Sequence, residues 1–199
     1  MTKEQPVRLA VFASGSGSNF EAIVRAFQTD QINAEVALLV CDRPDAFVLK
    51  RAETLGVPSV AFRPKSFDSK EAYEQEVLDH LLGASIDLVV LAGYMRIVGN
   101  TLLKAYPNKL MNIHPSLLPR YPGKQGIVDA FEDGATQTGV TVHIVDEGID
   151  TGPILAQETV AIEPDDTIES LERKIHAVEH ELFPKVIQTY IKKLQKEHA

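Results

Sequence analysis

The sequence predicts an α/β fold: a single domain with a Rossmann-like, mostly parallel sheet, helices on both faces and an antiparallel strand pair near the C-terminal part. Short apolar runs alternate with stretches of helical period through the first half of the chain, as in strand–helix–strand units. The runs are apolar almost throughout, which is typical of strands covered on both faces. Two later strand-like runs are joined by a connection too short for a crossover, so we expect them to pair antiparallel.

The first half of the chain contains four predicted strands, over residues 7–13, 35–40, 58–62 and 86–92. Helical spacing follows the first strand, at Phe20, Ile23, Val24 and Phe27. A second helix is predicted over residues 44–55. A third should run from a cap at Ser66 or Asp68 to about residue 82. Each of the first three strands is thus followed by a segment that can cross over the sheet.

The second half begins with a short strand at residues 109–111, followed by a loop rich in Pro and Gly and a helix that starts over residues 127–131. Two strands follow, over residues 138–145 and 154–161. A C-terminal helix is predicted to begin at Asp165 or Asp166, and Pro184 should kink or restart it. Residues 192–199 are predicted to be a solvated end. No linker or repeat divides the chain, so residues 1–199 are predicted to be one domain.

Composition narrows the classes of function. The chain has 199 residues and a formal net charge of −8, which indicates no broad basic surface for nucleic acid or an anionic membrane. Its single cysteine, Cys41, excludes an internal disulfide and a cysteine-based zinc cluster. The N-terminus does not resemble a signal peptide, and the apolar runs are too short to span a bilayer. We therefore expect a cytoplasmic protein with no membrane or nucleic-acid partner.

A glycine-rich turn connects the first strand to the first helix. The segment Ser-Gly-Ser-Gly-Ser-Asn at residues 14–19 could aim backbone amides and the helix N-terminus at a phosphate. It lacks the Lys of a Walker loop, and Phe20 stands where a dinucleotide fingerprint has its third glycine. Asn19 is equally suited to be a plain helix cap. From these residues alone, a phosphate site and a capped helix remain equally open.

The segment Asn-Ile-His-Pro at residues 112–115 carries the strongest chemical signal. Residues two apart on a strand point to the same side, so Asn112 and His114 can face one pocket. A donating amide beside an imidazole suits chemistry in which a carbonyl oxygen becomes negatively charged. The alternative is a polar strand end without chemistry. Residues 14–19, 93–96 and 112–114 all follow strands, and in a parallel sheet such ends meet at one edge.

Four segments together resemble the phosphoribosylglycinamide formyltransferases. They are residues 14–19, Leu-Ala-Gly-Tyr-Met-Arg at 91–96, Asn-Ile-His-Pro-Ser-Leu-Leu-Pro at 112–119 and Asp-Glu-Gly-Ile-Asp-Thr-Gly-Pro at 146–153. The resemblance covers essentially the whole chain. It implies the formyltransferase fold and transfer of a formyl group from the co-substrate 10-formyltetrahydrofolate to the amino group of 5-phosphoribosylglycinamide, in purine biosynthesis. It also implies a metal-free enzyme with small-molecule substrates, either a monomer or a homodimer.

The resemblance also implies the roles of individual residues. The catalytic residues would be Asn112, His114 and Asp150, although spacing alone favours a turn role for Asp150. Contacts to phosphoribosylglycinamide would come from Gly17, Ser18, Asn19, Pro115, Ser116 and Glu179. Contacts to 10-formyltetrahydrofolate would come from Lys70, Met95, Arg96, Ile97, Val98, Asn112, Asp146, Glu147, Gly148, Ile149 and Asp150.

Read without the resemblance, several of these residues have plainer interpretations. Glu179 alone would be a solvated helix residue, and Met95 and Ile97 would belong to the core. The chain also departs from the family that it resembles, because Lys70 stands where relatives often have Arg, so a bidentate contact would be lost. The resemblance further implies that His143 lies near the site.

Three other functions share parts of this pattern. A methionyl-tRNA formyltransferase would need a further C-terminal domain and a basic surface, whereas this chain ends at residue 199 and is acidic. A formyltetrahydrofolate hydrolase would carry an additional N-terminal domain. A non-catalytic nucleotide-binding module would have no need for Asn112, His114 and Asp150 together. Measuring formyl transfer with and without phosphoribosylglycinamide would separate these functions.

Overall fold

The computed structural model of the protein describes residues 5–29 and 32–197. Within these residues, a seven-stranded sheet has the order β3-β2-β1-β4-β5-β6-β7. Its strands are β1 (Val7–Ala13), β2 (Ala34–Cys41), β3 (Ser59–Ala61), β4 (Leu88–Leu91), β5 (Leu110–His114), β6 (Gln137–Ile144) and β7 (Ile154–Ala161). The helices are α1 (Ser18–Thr29), α2 (Val48–Leu55), α3 (Lys70–Gly83), α4 (Asn100–Ala105), α5 (Gly126–Glu132) and α6 (Ile168–Glu197).

The sheet is parallel from β3 to β5 and antiparallel from β5 to β7. The predicted antiparallel pairing of the last two strands is therefore confirmed. The chain runs outward from β1 to β2 and β3, and then returns to place β4 on the other side of β1. This reversal of strand order is where open α/β sheets form a crevice beyond their carboxyl ends. The fold thus places the edge that carries residues 14–19, 93–96 and 112–114 beside that crevice.

Two hydrophobic clusters cover the two faces of the sheet, because successive strand residues point to opposite sides. Along β1, Leu9 and Val11 belong to the cluster that packs with α1, α2 and α6. Ala10 and Phe12, which alternate with these two residues along the strand, belong to the cluster that packs with α3 and α4. All four β1 side chains are fully buried. The predicted three-layer arrangement with helices on both faces is confirmed.

Several predicted boundaries were wrong. The cap of α3 is Ser69, whose side chain accepts a hydrogen bond from the backbone N–H of Ala72, and neither Ser66 nor Asp68 takes this role. The helix α4 was not predicted, because its six residues are too few to show a helical period. The strand β5 extends to His114, beyond the predicted residues 109–111, so Asn112 and His114 lie within it.

The C-terminal helix also differs from the prediction. It begins at Ile168, after Thr167 and Ser170 exchange hydrogen bonds between their side chains and backbone N–H groups. It continues through Pro184 without restarting. A solvated end was predicted over residues 192–199. Residues 192–197 are helical, and residues 198–199 lie outside the described part of the chain. Within residues 5–29 and 32–197, no helix is long and apolar enough to cross a membrane.

Candidate functional site

A cavity of about 380 Å3 lies at the carboxyl edge of the sheet. Its wall is formed by the segment after β4, by β5 and β6, by the turn between β6 and β7, and by one side of α6. The predicted site residues on this wall are Asn19, Met95, Arg96, Ile97, Val98, Asn112, His114, Pro115, Asp146, Gly148, Ile149, Asp150 and Glu179. The fold therefore gathers most of the predicted site residues around one cavity.

The strand β5 presents Asn112 and His114 on the same side, as the two-residue period requires. Antiparallel pairing sets Asn112 opposite His143 and His114 opposite Thr141 on β6. His114 is buried, with 4% of its surface exposed, and Asn112 is partly exposed to the cavity. A strand held by hydrogen bonds on both sides positions both side chains more firmly than a loop would.

The hydrogen bonds of His114 define which of its nitrogens can exchange a proton. Its Nε2 lies 2.7 Å from the backbone oxygen of Tyr121, and a carbonyl can only accept, so Nε2 carries a hydrogen. Its Nδ1 lies 3.5 Å from Oδ2 of Asp150. Nδ1 is therefore the nitrogen left free for a contact with a ligand, and the carboxylate of Asp150 lies beside it.

Asp150 is held in place from the opposite side. Its Oδ2 accepts a hydrogen bond of 2.8 Å from the backbone N–H of Gly123, and its Oδ1 lies 3.8 Å from Nε2 of His143. The backbone φ angle of Asp150 is +55°, a left-handed conformation that Asp and Asn adopt more readily than other non-glycine residues. The turn after β6 thus directs the carboxylate toward two imidazoles, which is more than a turn residue requires.

His143 holds the amide group of Asn112. Its Nδ1 donates to the backbone oxygen of Ile144, at 3.0 Å, so in the neutral ring Nε2 is an acceptor. Nδ2 of Asn112 lies 3.2 Å from this Nε2. Burial lowers the pKa of His143 below its ordinary value and keeps the ring neutral. Asn112 is therefore oriented with one N–H on His143, and its second N–H is left for another acceptor.

A separate cluster of hydrogen-bonded polar side chains lies where α1 meets α6. Glu179 is only 4% exposed, so the interpretation of a solvated helix residue was wrong. Its Oε2 accepts hydrogen bonds from Nδ2 of Asn19, at 3.0 Å, and from Nδ1 of His176, at 2.8 Å. Asn19 lies within α1, and its side chain bonds Glu179, which differs from the predicted helix cap. The buried carboxylate is thus paired with two donors beside the cavity.

The pair between His176 and Glu179 predicts a pH-dependent stability. The carboxylate of Glu179 raises the pKa of His176, so the pair stabilises the fold below the ordinary pKa of histidine and is lost as pH rises through the raised pKa. Because His176 is half exposed, His176→Gln should lower the melting temperature by only about 1–3 °C near pH 6 and less near pH 8.5. Thermal unfolding at both pH values measures this. In a Glu179→Gln background the pH-dependent difference should vanish. An equal loss at both pH values would contradict the assignment.

The glycine-rich turn packs against the start of α2. Gly17 has a φ angle of +77°, and a Cβ at this position would lie 2.3 Å from Cγ2 of Val48. The hydroxyl of Ser14 accepts a hydrogen bond from the backbone N–H of Met95, which connects the turn to the segment after β4. The turn is therefore fixed by close packing that only glycine permits at residue 17.

Two apolar side chains after β4 are exposed. Met95 is 48% exposed and Ile97 is 58% exposed, so the interpretation of both as core residues was wrong. Ile149, in the turn across the cavity, is 56% exposed. Exposed apolar side chains that face each other across a cavity are typical of a binding site for a flat, partly apolar ligand.

Some predicted site residues do not lie on the cavity wall. Gly17, Ser18 and Glu147 are not among the residues that line the cavity. Ser116 is fully buried, and its hydroxyl donates to the backbone oxygens of Arg120 and Tyr121. Lys70 lies at the start of α3, with its Nζ 4.0 Å from Glu74.

The loop between β5 and α5 contributes residues that the sequence did not identify. Tyr121 accepts the hydrogen bond of His114, and Gly123 donates to Asp150. At Gly126 a Cβ would lie 2.9 Å from the oxygen of Tyr121 and 3.2 Å from Nε2 of His114. The only available signal was the abundance of Pro and Gly in this loop, which does not reveal the partner residues.

Comparison with known proteins agrees with this geometry. A family model described as formyl transferase matches residues 7–187. The chain belongs to the formyl transferase family. This family consists of enzymes, and the predicted resemblance is therefore confirmed at the level of the family.

Individual relatives support the same assignment for this formyl transferase. Over 181 residues it is 51% identical to the phosphoribosylglycinamide formyltransferase of Bacillus subtilis strain 168, covering 91% of this chain and 93% of that protein. A crystal structure of glycinamide ribonucleotide transformylase 1 from Geobacillus kaustophilus superimposes with a TM-score of 0.91 at 56% identity, covering 94% and 99% of the two chains. The trifunctional purine biosynthetic protein adenosine-3 of Drosophila melanogaster is 41% identical over 189 residues, which are 94% of this chain and 14% of that protein.

Proposed function

We propose that this formyl transferase catalyses the reaction for which its relatives are named, the formylation of phosphoribosylglycinamide in purine biosynthesis. A bond forms between the glycinamide nitrogen and the formyl carbon, the bond from that carbon to N10 of the folate breaks, and one proton passes from the amine to N10. The products are formylglycinamide ribonucleotide and tetrahydrofolate. The observation that carries the proposal is the convergence of Asn112, His114 and Asp150 on one cavity in a chain of this family.

The chain's own groups suit this chemistry. 10-Formyltetrahydrofolate supplies an electrophilic formyl carbon whose oxygen becomes negative on attack. The second N–H of Asn112 and the protonated Nδ1 of His114 are the donors that can stabilise this charge, because the other bond of each side chain is already occupied. Asp150 sets the orientation of the ring and places a negative charge beside the positive charge that develops on it during proton transfer. His114, or a water held by Asp150, then provides the path for the proton.

The nucleotide is proposed to bind at the junction of α1 and α6. Gly17, Ser18 and Asn19 would hold its phosphate with the backbone amides at the start of α1, and Glu179 would accept hydrogen bonds from its hydroxyl groups. Pro115 would add contacts from the end of β5, and the fully buried Ser116, predicted as a further contact, instead holds the following loop through the backbone oxygens of Arg120 and Tyr121. Because the chain is acidic overall, an anion has to be held by local donors, and backbone amides at a helix N-terminus supply them.

The folate is proposed to occupy the opposite end of the cavity. Its pteridine would lie against residues 95–98 and the turn at residues 146–150, where exposed apolar side chains and backbone groups are both present. This includes Asp146 and Glu147, although only Asp146 faces the cavity. Lys70 would reach the ligand only where the folate extends beyond the cavity. A folate analogue that occupied a different part of the molecule in a crystal would contradict this placement.

An assay of formyl transfer tests the proposed function. The enzyme should release tetrahydrofolate from 10-formyltetrahydrofolate only when phosphoribosylglycinamide is present, and formylglycinamide ribonucleotide should appear in equal amount. Release without an acceptor would indicate a hydrolase. Transfer to methionyl-tRNA would indicate the tRNA enzyme. Binding of the nucleotide without any transfer would indicate a non-catalytic module.

Substitution of Gly17 should separate the two substrates. Gly17→Ala places a methyl group against Val48 at a left-handed φ angle, so the turn must shift and its amides lose their alignment. We expect the Michaelis constant for phosphoribosylglycinamide to rise about ten-fold or more, because one to two charge-assisted hydrogen bonds are lost. The Michaelis constant for the folate should change little. Steady-state kinetics with each substrate varied in turn measures this.

Gly83→Ala is the matched control, because a Cβ there would meet no atom within 4 Å. It should leave both Michaelis constants unchanged. If Gly17→Ala raised both constants equally and lowered the melting temperature, the turn would serve folding and not the phosphate.

Other features follow from the same proposal. We propose that residues 1–199 act as one formyltransferase domain with small-molecule substrates, in the cytoplasm, as a monomer or a homodimer. In the part of the chain that the structure describes, no three His, Cys, Asp or Glu side chains are grouped so as to hold a metal ion. The absence of a metal requirement stays a prediction, which activity after dialysis against a chelator would test.

A further inference from the structure

The segment that connects β4 to α4, residues 92–99, is held in place by α3. It contains residues 95–98, against which the pteridine is proposed to lie, and it forms neither a helix nor a strand. Two adjacent residues of α3, Tyr73 and Glu74, are buried, with 2% and 4% of their surfaces exposed. Both make contacts to this connecting segment. A rigid helix therefore supports a stretch of irregular backbone beside the cavity.

Tyr73 supports the first half of the connecting segment. Its hydroxyl lies 2.8 Å from the hydroxyl of Tyr94, and the guanidinium of Arg96 lies over its ring, 5.5 Å from the centre. From the other side, the hydroxyl of Ser14 accepts a hydrogen bond of 2.9 Å from the backbone N–H of Met95. Side chains from two other parts of the fold thus fix this half.

Glu74 supports the second half of the connecting segment, where α4 begins. Its Oε1 accepts a hydrogen bond of 2.7 Å from the backbone N–H of Gly99, the N-cap of α4, which has no side chain for capping. Burial raises the pKa of Glu74, whereas the N–H of Gly99, the ammonium of Lys70 and the N–H of Leu102 oppose this rise. Leu102 is the third residue after the cap, whose N–H a capping side chain usually bonds. A carboxylate from α3 thus supplies the cap that Gly99 lacks.

The space around the Glu74 carboxylate is closely filled. A Cβ at Gly99 would lie 2.9 and 3.1 Å from its two oxygens, and 3.1 Å from Cε of Lys70. The φ angle of Gly99 is −99°, which any residue can adopt. The glycine at residue 99 is therefore required by the space that the carboxylate occupies and not by the backbone conformation.

We propose that Glu74 is a positioning residue for folate binding, and this inference rests on the proposed function. The carboxylate fixes the backbone at Gly99 and with it the end of residues 95–98, so that these residues keep the conformation that the pteridine contacts. It does not touch the ligand itself, because Glu74 is absent from the wall of the cavity. Its effect on binding passes through the backbone of the connecting segment.

The cost of burying this charge favours a specific role. A buried carboxylate loses its hydration, and the only cation within 4.0 Å among the described residues is Lys70, at the limit of that distance. The other buried side chains of α3 are Tyr73, Val77 and Leu81, none of which carries a charge. A charged residue in this row is explained by the N–H groups that it bonds and not by packing.

Replacement of Glu74 by Ala tests the inference. The Michaelis constant for 10-formyltetrahydrofolate should rise about ten-fold, because a buried charge-assisted hydrogen bond to the segment is lost. Both kcat and the Michaelis constant for phosphoribosylglycinamide should stay within about two-fold of the wild-type values. Glu74→Gln keeps an oxygen that can accept from Gly99, so it should bring the constant for the folate back to within about three-fold.

Replacement of Gly99 by Ala tests the same contact from the other side. The methyl group should displace the carboxylate and raise the Michaelis constant for the folate about ten-fold as well. In the double variant, Gly99→Ala with Glu74→Ala, no carboxylate is left to displace and the flexible Lys70 can move aside. The constant should then be no higher than in Glu74→Ala alone. Multiplication of the two single effects would overturn the inference.

Asp79→Ala is the matched control, because it removes an exposed carboxylate from the same helix. It should leave kcat and both Michaelis constants unchanged. If Glu74→Ala raised both Michaelis constants equally, or left that for the folate unchanged, Glu74 would serve only the packing of α3 against α4. Should Glu74→Ala fail to fold, Gly99→Ala decides by the same comparison of the two constants.

Binding of tetrahydrofolate, measured by calorimetry, separates this inference from the proposed function. Its dissociation constant should rise about ten-fold in Glu74→Ala and in Gly99→Ala, and this measurement requires no formyl transfer. If the wild-type protein transferred no formyl group to phosphoribosylglycinamide, the proposed function would fail while the binding data still judged Glu74. If transfer proceeded and both variants bound tetrahydrofolate as tightly as the wild-type protein, the function would stand and the role of Glu74 would fall.

Discussion

Replacement of Asp150 by Asn should lower kcat by about 10²–10⁴-fold while both Michaelis constants stay within a few-fold of the wild-type values. The structure shows why Asn is the right replacement. Its amide oxygen can still accept the hydrogen bond from Gly123, and Asn tolerates the φ angle of +55°. Only the negative charge beside Nδ1 of His114 is lost. The positive charge that develops on the ring of His114 during proton transfer then has no negative charge beside it, and the chemical step slows.

The control is Asp165→Asn, an exposed carboxylate outside the cavity, which should leave kcat unchanged. Steady-state kinetics with both substrates gives all three constants, and the melting temperature shows whether the fold is intact. Near-normal turnover in Asp150→Asn would mean that this residue serves only the turn. A large rise in one Michaelis constant at unchanged kcat would assign Asp150 to substrate binding.

Replacement of Asn112 by Asp should lower kcat by about 10²–10³-fold, the usual cost of losing one donor to a developing oxyanion. The two side chains have the same shape, but the carboxylate cannot donate a hydrogen bond to that oxyanion. It also cannot donate to Nε2 of His143, so the hydrogen bond that orients the side chain of residue 112 in the wild-type protein is lost. The expected loss therefore appears in the chemical step and not in the folding of β5.

Asn100→Asp is the matched control for this change. Asn100 is exposed at the start of α4, where an acidic side chain is compatible with the helix dipole, so activity should be unaffected. Single-turnover kinetics separates chemistry from product release. If Asn112→Asp altered only the Michaelis constants, Asn112 would bind both substrates in the ground state and would not act on the oxyanion.

The sequence predicts those features of the fold that depend on local period and composition. The predictions of the apolar faces of α1 and β1 were correct, because the burial of each residue follows from its place in a repeating pattern. Phe20 and Ile23 of α1 are examples. The common orientation of Asn112 and His114 follows from the same reasoning. The carboxyl edge of the sheet was predictable because the order of strands and helices restricts the possible topologies.

The remaining features depend on partners that are distant in sequence. The burial of Glu179 depends on Asn19, and the turn at Asp150 depends on an amide from Gly123, which no local pattern indicates. Met95 and Ile97 are apolar, as core residues are, but they follow the end of β4 and therefore project beyond the sheet. The same residue types can thus serve packing or binding, and only the topology distinguishes the two.

The antiparallel hairpin formed by β6 and β7 has a consequence for the folding of this enzyme. Asn112 and His114 lie on β5, whereas His143 and Asp150 arrive with the hairpin, which docks against β5 through the pairing of residues 111–114 with residues 141–144. A chain that had formed β1 to β5 alone would have half of the candidate site and no carboxylate beside His114. Recovery of activity during refolding would therefore follow the docking of the hairpin, a step between distant segments, and would lag behind the appearance of helical signal.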